Sequence, residues 1–182
     1  SNLFEKKLSD LDFDEVKTDS YWNVICTIGR GRPRITLEGH MDTVGPGDRK
    51  NWEFDPFSGE VVSGYVRGRG TVDMKGPLSS MIFGAARARG SVERANGAVR
   101  VACVVHEETI EGAAIESLIE REGKPDAVVL GEPSGLDICL GHRGRCVVEF
   151  EVNGRTTHAS MPELGRNAAL DLMDVINLLR KK

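Results

Sequence analysis

Aromatic residues are scarce, at 5% of 182 residues, but the chain is 40% hydrophobic, so its core has to be built from aliphatic side chains. That length and apolar content suffice for one well-buried core and part of a second. A basic surplus is missing too: 24 Lys and Arg stand against 28 Asp and Glu, a formal charge of −4. Such a chain has no electrostatic footprint for nucleic acid or an anionic membrane surface. No apolar run approaches the roughly 20 residues that cross a bilayer, and the opening SNLFEKKLSD does not read as a signal peptide. The four cysteines, Cys26, Cys103, Cys139 and Cys146, form no CxxC pair, which excludes a zinc-thiolate site. Each sits in a short β-like run. The expectation is four reduced, buried, small hydrophobes in a cytoplasmic protein. The glycine-rich GRGTVDMKG lacks the phosphate-cradling G-x-x-x-x-G-K-[ST] pattern, and no serine lies in a G-x-S-x-G elbow.

What is present is an alternation of apolar runs and helical patterns. Helical spacing runs through Leu3, Phe4, Leu8 and Leu11. Strands are expected at NVICTI (23–28), RITLE (34–38), AVRVACVV (98–105), DAVVL (126–130) and DICL (137–140). A helix is expected over 76–87, with Pro77 in its first turn, where the missing N–H costs nothing. Another runs through EGAAIESLIEREG and ends near Gly123. Strands alternating with helices predict an α/β fold, a mixed sheet flanked by helices. Past Gly141 the texture changes. RCVVEFEV alternates as a half-exposed strand does, and a helix follows from Asn167, its cap, to Arg180, with Leu170, Met173, Ile176 and Leu179 on one face. One strand and one helix bury no core alone, so residues 142–182 read as the start of a second domain, and the chain as a piece of a longer protein.

Potential ligands gather where apolar runs stop. His40 and Asp42 follow the second run, Asp73 precedes the helix at Gly76, Glu107 and Glu108 follow VACVV, and Glu132 follows DAVVL. In open α/β sheets the carboxyl ends of strands line the ligand crevice. Carboxylates converging there repel one another unless a cation neutralises them, and imidazole with carboxylate suits zinc or a similar ion rather than calcium. Taken singly, each feature has a bland reading: H-x-D as a turn pair, Glu-Glu as a solvated helix start, Asp73 as an N-cap, Glu132 as a turn residue. Four such clusters in one α/β chain favour a common metal centre, with His40 as a ligand and Asp42 as its carboxylate partner.

GHMDTV, GRGTVDMKG, HEET and GEPS, in this order, resemble the dinuclear-metal amidohydrolases and exopeptidases, the family of acetylornithine deacetylase, succinyl-diaminopimelate desuccinylase, aminoacylase and glutamate carboxypeptidase. The lead-in NWEFDPFSGEVVSG is similar as well, and the likeness extends from about Asn23 to Ala168. The resemblance implies a zinc exopeptidase-like catalytic domain over 1–141 and, over 142–182, the first strand and helix of a ferredoxin-like lid that dimerises the full-length protein. It implies two divalent ions, zinc or else cobalt or manganese. His40, Asp73 and Glu132 would hold one; Asp73 would bridge to a second held by Glu108. Glu107 would be the general base acting on a metal-bridging water, Asp42 would orient His40, and the Asp73–Met74 peptide would be cis. His158, in GRTTHASMPELG, would reach the substrate from the lid; its plainer reading is an exposed loop histidine. His106 is expected to point into the sheet and His142 to be a turn residue.

The implied activity is hydrolysis of the amide bond of a small N-acyl amino acid or short peptide. A dinuclear aminopeptidase or dipeptidase, and a non-catalytic relative serving binding or dimerisation, stay open beside it. The departure from the pattern is a histidine for the second ion: none follows His158, so that site is one ligand short here.

Overall fold

The structure is a computed structural model that describes residues 2–181. The elements, in chain order, are α1 (Asn2–Ser9), β1 (Glu15–Thr18), β2 (Val24–Gly29), β3 (Arg34–His40), β4 (Val61–Val62), β5 (Tyr65–Val66), α2 (Gly76–Arg87), α3 (Arg89–Arg94), β6 (Ala98–Val104), α4 (Ala113–Glu122), β7 (Ala127–Leu130) and α5 (Ala168–Arg180). Five strands form one sheet in the order β1-β2-β6-β3-β7, and β4 pairs with β5 in a separate hairpin. β3 is parallel to both β6 and β7, while β1–β2 and β2–β6 are antiparallel. The sheet is therefore mixed, with its parallel half built by the crossovers through α2–α3 and α4.

Period-2 alternation along β2 and β6 gives the sheet two apolar faces. Val24, Cys26, Val101 and Cys103 face Leu78, Ile82 and Ala85 of α2 and Leu8 of α1. Ile25, Ala102 and Val104 face Ala114 and Leu118 of α4 on the opposite side. Phe4 and Leu11 pack beside the first cluster as their spacing predicts, though the helix stops at Ser9. The side chain of Leu3 lies outside the described residues. Pro77 sits in the first turn of α2. Asn167 caps α5, its side chain accepting from the Ala169 N–H at 3.0 Å. Among the described residues no helix is long and apolar enough to cross a membrane.

The chain divides into two compact units, Ser1–Ile138 and Cys139–Lys182. Three expectations are corrected in and near the second. DICL and RCVVEFEV form no ladder, and the only β-bridge among described residues outside the named strands joins Arg155 and Arg166. A strand exists by virtue of a partner, and an alternating pattern supplies none. Cys139 and Cys146 are accordingly exposed, whereas Cys26 and Cys103 are buried. Burial pushes the Cys26 thiol up to about 12 and raises that of Cys103 as well.

Candidate metal centre

The register of the parallel strands brings the singled-out residues of the first unit to one end of the sheet. Residue 40 pairs with Val104 and residue 38 with Leu130, so Glu132 emerges level with His40, and the Glu107–Glu108 pair follows just past the end of β6. Asp73 arrives from the segment before α2, where the backbone leaves helical geometry at Asp73 (φ −118°, ψ 97°) and Met74 (φ −135°, ψ 33°). The Asp73–Met74 peptide is cis, as the resemblance implies. Met74 is fully buried beneath this end of the sheet. It fits because residue 39 is glycine: a Cβ there would lie 2.5 Å from the Met74 Cε. Gly70, at φ +80°, lets the same segment approach Thr43, whose Cγ2 would lie 2.3 Å from an added Cβ.

His40 is 1% exposed and stands at the centre. Its Nδ1 lies 3.0 Å from the backbone carbonyl oxygen of Asp42. A carbonyl only accepts, so Nδ1 carries a proton, and Nε2, turned to the crevice, is left to hold either an ion or a second proton. Around Nε2 are carboxylate oxygens of Asp73 at 2.9 Å, Glu132 at 3.7 Å and Glu107 at 3.8 Å. Among the described residues, two sets of potential ligands have their donor atoms within 4.8 Å of one another, and both contain His40: one with Asp73 and Glu108, the other with Glu107 and Glu132. Glu108 also accepts from the Val44 N–H at 3.2 Å. The Asp42 carboxylate lies 3.6 Å from His40 Nδ1, beyond hydrogen-bond reach, and accepts instead from the backbone of the glutamate pair.

The electrostatics record the crowding. Burial, with the charges of Asp73, Glu107 and Glu108, holds the Glu132 carboxyl above the usual carboxylate range. Burial likewise raises Glu107, helped by Glu108, Glu111 and Asp42. Burial alone would lower the His40 imidazole, but the hydrogen bond to Asp73, the Asp42 carbonyl and the surrounding carboxylates raise it overall. Without an ion, a proton on Nε2 is the nearest counter-charge these oxygens have. The donor set, one imidazole nitrogen among hard oxygens, fits a divalent ion of the zinc, cobalt or manganese type.

Glu38, which the sequence alone does not single out, points to the same side of β3 as His40 and is 5% exposed. Burial and the charges of Glu132 and Glu107 push its carboxyl up to about 7. The available signal was a lone acid inside RITLE, two residues before the histidine. His106 does not point into the sheet: it is exposed at φ +62°, because the chain must turn sharply there to bring Glu107 and Glu108 back over the strand ends. His142 is exposed, with Nδ1 3.1 Å from the Arg143 carbonyl oxygen. His158 belongs to the second unit and is exposed there. Its Nδ1 accepts from the Ser160 N–H at 3.2 Å and lies 2.8 Å from the Ser160 hydroxyl.

Among curated proteins, the chain is 35% identical over 177 residues to a probable succinyl-diaminopimelate desuccinylase of Staphylococcus epidermidis, an alignment covering 95% of this chain and 43% of that protein. It is 32% identical over 178 residues to the Escherichia coli protein YgeY, covering 97% of this chain and 44% of that one. The chain thus spans less than half the length of these relatives. Among solved structures, a tripeptidase from Staphylococcus aureus superposes with a TM-score of 0.56 at 18% identity, over 97% of this chain and 49% of that chain, a likeness of fold. Residues 36–175, which include every one of the clustered side chains as well as His158, match one family, and the chain belongs to it: peptidase family M20/M25/M40.

Proposed function

We propose that the protein containing this chain is a metal-dependent hydrolase of the amide bond in a small N-acyl amino acid or short peptide. The observation that carries the reading is the His40 ring, with Nδ1 fixed on a backbone carbonyl and Nε2 aimed into a ring of carboxylates. His40, Asp73 and Glu132 would hold one divalent ion, zinc or else cobalt or manganese, and Asp73 with Glu108 would hold a second, for which these residues provide fewer donors. Bound ions neutralise the carboxylates and supply Lewis acidity toward a substrate carbonyl.

Glu107 is the general base. Its raised affinity for protons suits it to take one from the attacking water. The water oxygen bonds to the amide carbon, the C–N bond breaks, and Glu107 returns the proton to the leaving nitrogen. His158 Nδ1 accepts from the Ser160 N–H, which leaves the ring N–H on Nε2. An N–H donor of this kind suits a developing oxyanion, the role proposed for His158. The exposed Leu170, Met173, Ile176 and Leu179 of α5 support a homodimer through that unit, and four free cysteines suit the cytoplasm.

The test is titration with zinc, cobalt and manganese, followed by assays on N-acetyl, N-succinyl and dipeptide substrates. These 182 residues should take up one ion tightly and a second more weakly, and a chain extended to add a histidine ligand should hold two tightly. Glu107→Gln in the longer chain should cut kcat by at least about 100-fold while leaving metal content unchanged. Unchanged turnover in that variant excludes the mechanism, and no tight ion in either chain excludes the centre.

A further inference from the structure

The end of the sheet away from the candidate metal centre carries a surplus of the other sign. Arg100 lies four residues before Val104 on β6, roughly 13 Å back along the strand. It pairs with Thr27 of β2 and Thr36 of β3, on the face of the sheet that α4 covers. A cavity of about 490 Å³ opens beside it, walled by Arg30, Arg34 and Arg100 together with Asp14, Glu15 and Glu122. That volume is in the range of small-ligand sites.

A guanidinium is rarely buried unless paired, yet Arg100 is 4% exposed. Its Nη2 donates to the Glu122 carbonyl at 3.0 Å, and Arg34 Nη1 donates to the same oxygen at 3.1 Å. Two cations thus share one acceptor at the C-terminal end of α4, where the helix dipole favours them. Arg100 Nη2 is 3.7 Å from the Glu122 carboxylate, too far for a hydrogen bond. Its Nε N–H has no hydrogen-bond partner among the described residues, and neither has the hydroxyl of Thr36 beside it. The carboxylates are better supplied. Lys17, which is not part of the cavity wall, holds Glu122 at 2.9 Å and Glu15 at 3.3 Å. Asp14 accepts from Arg89 at 2.9 Å and from the Gly29 N–H at 2.7 Å. With the Asp14–Arg89 pair set aside, four cations (Lys17, Arg30, Arg34 and Arg100) face two carboxylates. Burial and the Arg34 charge lower the affinity of Arg100 for its proton, and Glu122 offsets them only in part.

A water accepts from Nε but leaves the surplus as it stands; an anion answers both. We infer that this cavity binds a small oxyanion, a phosphate or a carboxylate group, held by buried Arg100, half-buried Arg34 and exposed Arg30. Arginine forks present paired N–H donors to such oxygens. Bound there, the anion links β3 and β6 with the turn after β2 and stabilises the unit Ser1–Ile138. The inference is independent of the hydrolase reading, since none of these residues belongs to the metal cluster.

The protein containing this chain is titrated calorimetrically with inorganic phosphate, and separately with acetate, at constant ionic strength. It is titrated as isolated and again stripped of metal, where no metal-bound anion intrudes. One binding step should appear in both forms, and the anion that binds should raise Tm. Arg34→Gln should weaken that step by about 10- to 100-fold, as deleting a charge-assisted hydrogen bond does. Arg100→Lys keeps the charge but loses the Nε donor, and should weaken it similarly. If Arg100→Lys fails to fold, Arg34→Gln and Arg30→Gln decide. Arg32→Gln is the control: Arg32 pairs with Asp126 at 2.6 Å outside the cavity wall, and its loss should leave binding unchanged. Tighter binding of phosphate points to a phosphoryl group as the natural occupant and tighter binding of acetate to a carboxylic acid; either supports the site. No binding of either anion below about 10 mM overturns it. Binding that is unchanged in Arg34→Gln and Arg30→Gln also overturns it, because the anion is then held elsewhere.

Discussion

Glu38 is the residue whose chemistry departs furthest from its surroundings. It lies in β3, 5% exposed, with a carboxyl that burial and the Glu132 and Glu107 charges push up to about 7. In the metal-free folded chain Glu38 therefore holds its proton to higher pH than in the unfolded chain, where the carboxyl titrates near its ordinary value. Between those two values the native state binds more protons than the unfolded state, so stability falls as pH rises through that window. The stabilisation is fully present below about pH 4 and lost by about pH 7, an effect on the order of 3 kcal/mol. Denaturant melts of the metal-free chain between those limits should show this slope, and Glu38→Gln should flatten it. An unchanged slope would mean that other carboxylates of the cluster carry the pH response. The same residue shows why the site was only partly legible in sequence. His40, Asp73, Glu107, Glu108 and Glu132 stood out because each follows or precedes an apolar run. Glu38 lies inside one, where an acid reads as the solvent-facing half of an alternating strand.

Strands and helices differ in how far local sequence commits them. α2 and α4 were readable because apolar residues recur on one face and because proline or glycine punctuates their ends. β2, β3, β6 and β7 were readable as short apolar runs. α3, a six-residue helix with one buried side chain, Val92, has no periodic signal, and β1 and the β4–β5 hairpin are too short to announce themselves. Segments 137–140 and 145–152 failed in the opposite way, with a strand-like pattern but no ladder. Pairing is nonlocal, and a pattern names a face without naming a neighbour. The elements that do pack offer a direct check. Leu118 of α4 is completely buried against Ile25, Ala102 and Val104, and α4 is the helix that covers this face of the sheet in the second apolar cluster. Leu118→Ala should cost about 2–5 kcal/mol in denaturant unfolding. A loss well under that range would mean that the face collapses around the cavity and that α4 is loosely held.

At the scale of the molecule, the candidate metal centre concentrates charge of one sign at one end of one unit. Asp42, Asp73, Glu107, Glu108 and Glu132 surround a single imidazole, with Glu38 behind them. Folding gathers these groups and so works against their mutual repulsion, and an ion that binds only the folded arrangement returns that free energy. At a free concentration about 100 times its dissociation constant, such an ion stabilises by roughly 2.7 kcal/mol. For a chain of this size that corresponds to a rise in Tm of roughly 5–10 °C. All the clustered residues belong to the unit Ser1–Ile138, so scanning calorimetry should show the rise in that unit's transition and leave any separate transition of Cys139–Lys182 in place. Zinc, cobalt or manganese should produce it, EDTA should reverse it, and Asp73→Asn should remove most of it, since Asp73 makes the shortest contact with His40 Nε2, at 2.9 Å. Magnesium at matched ionic strength is the decisive comparison. It screens charge as effectively but binds poorly where an imidazole is a ligand. An equal rise with magnesium would reduce the cluster to a patch of repelling carboxylates relieved by any divalent counter-ion, and the reading of His40 as a ligand would fall with it.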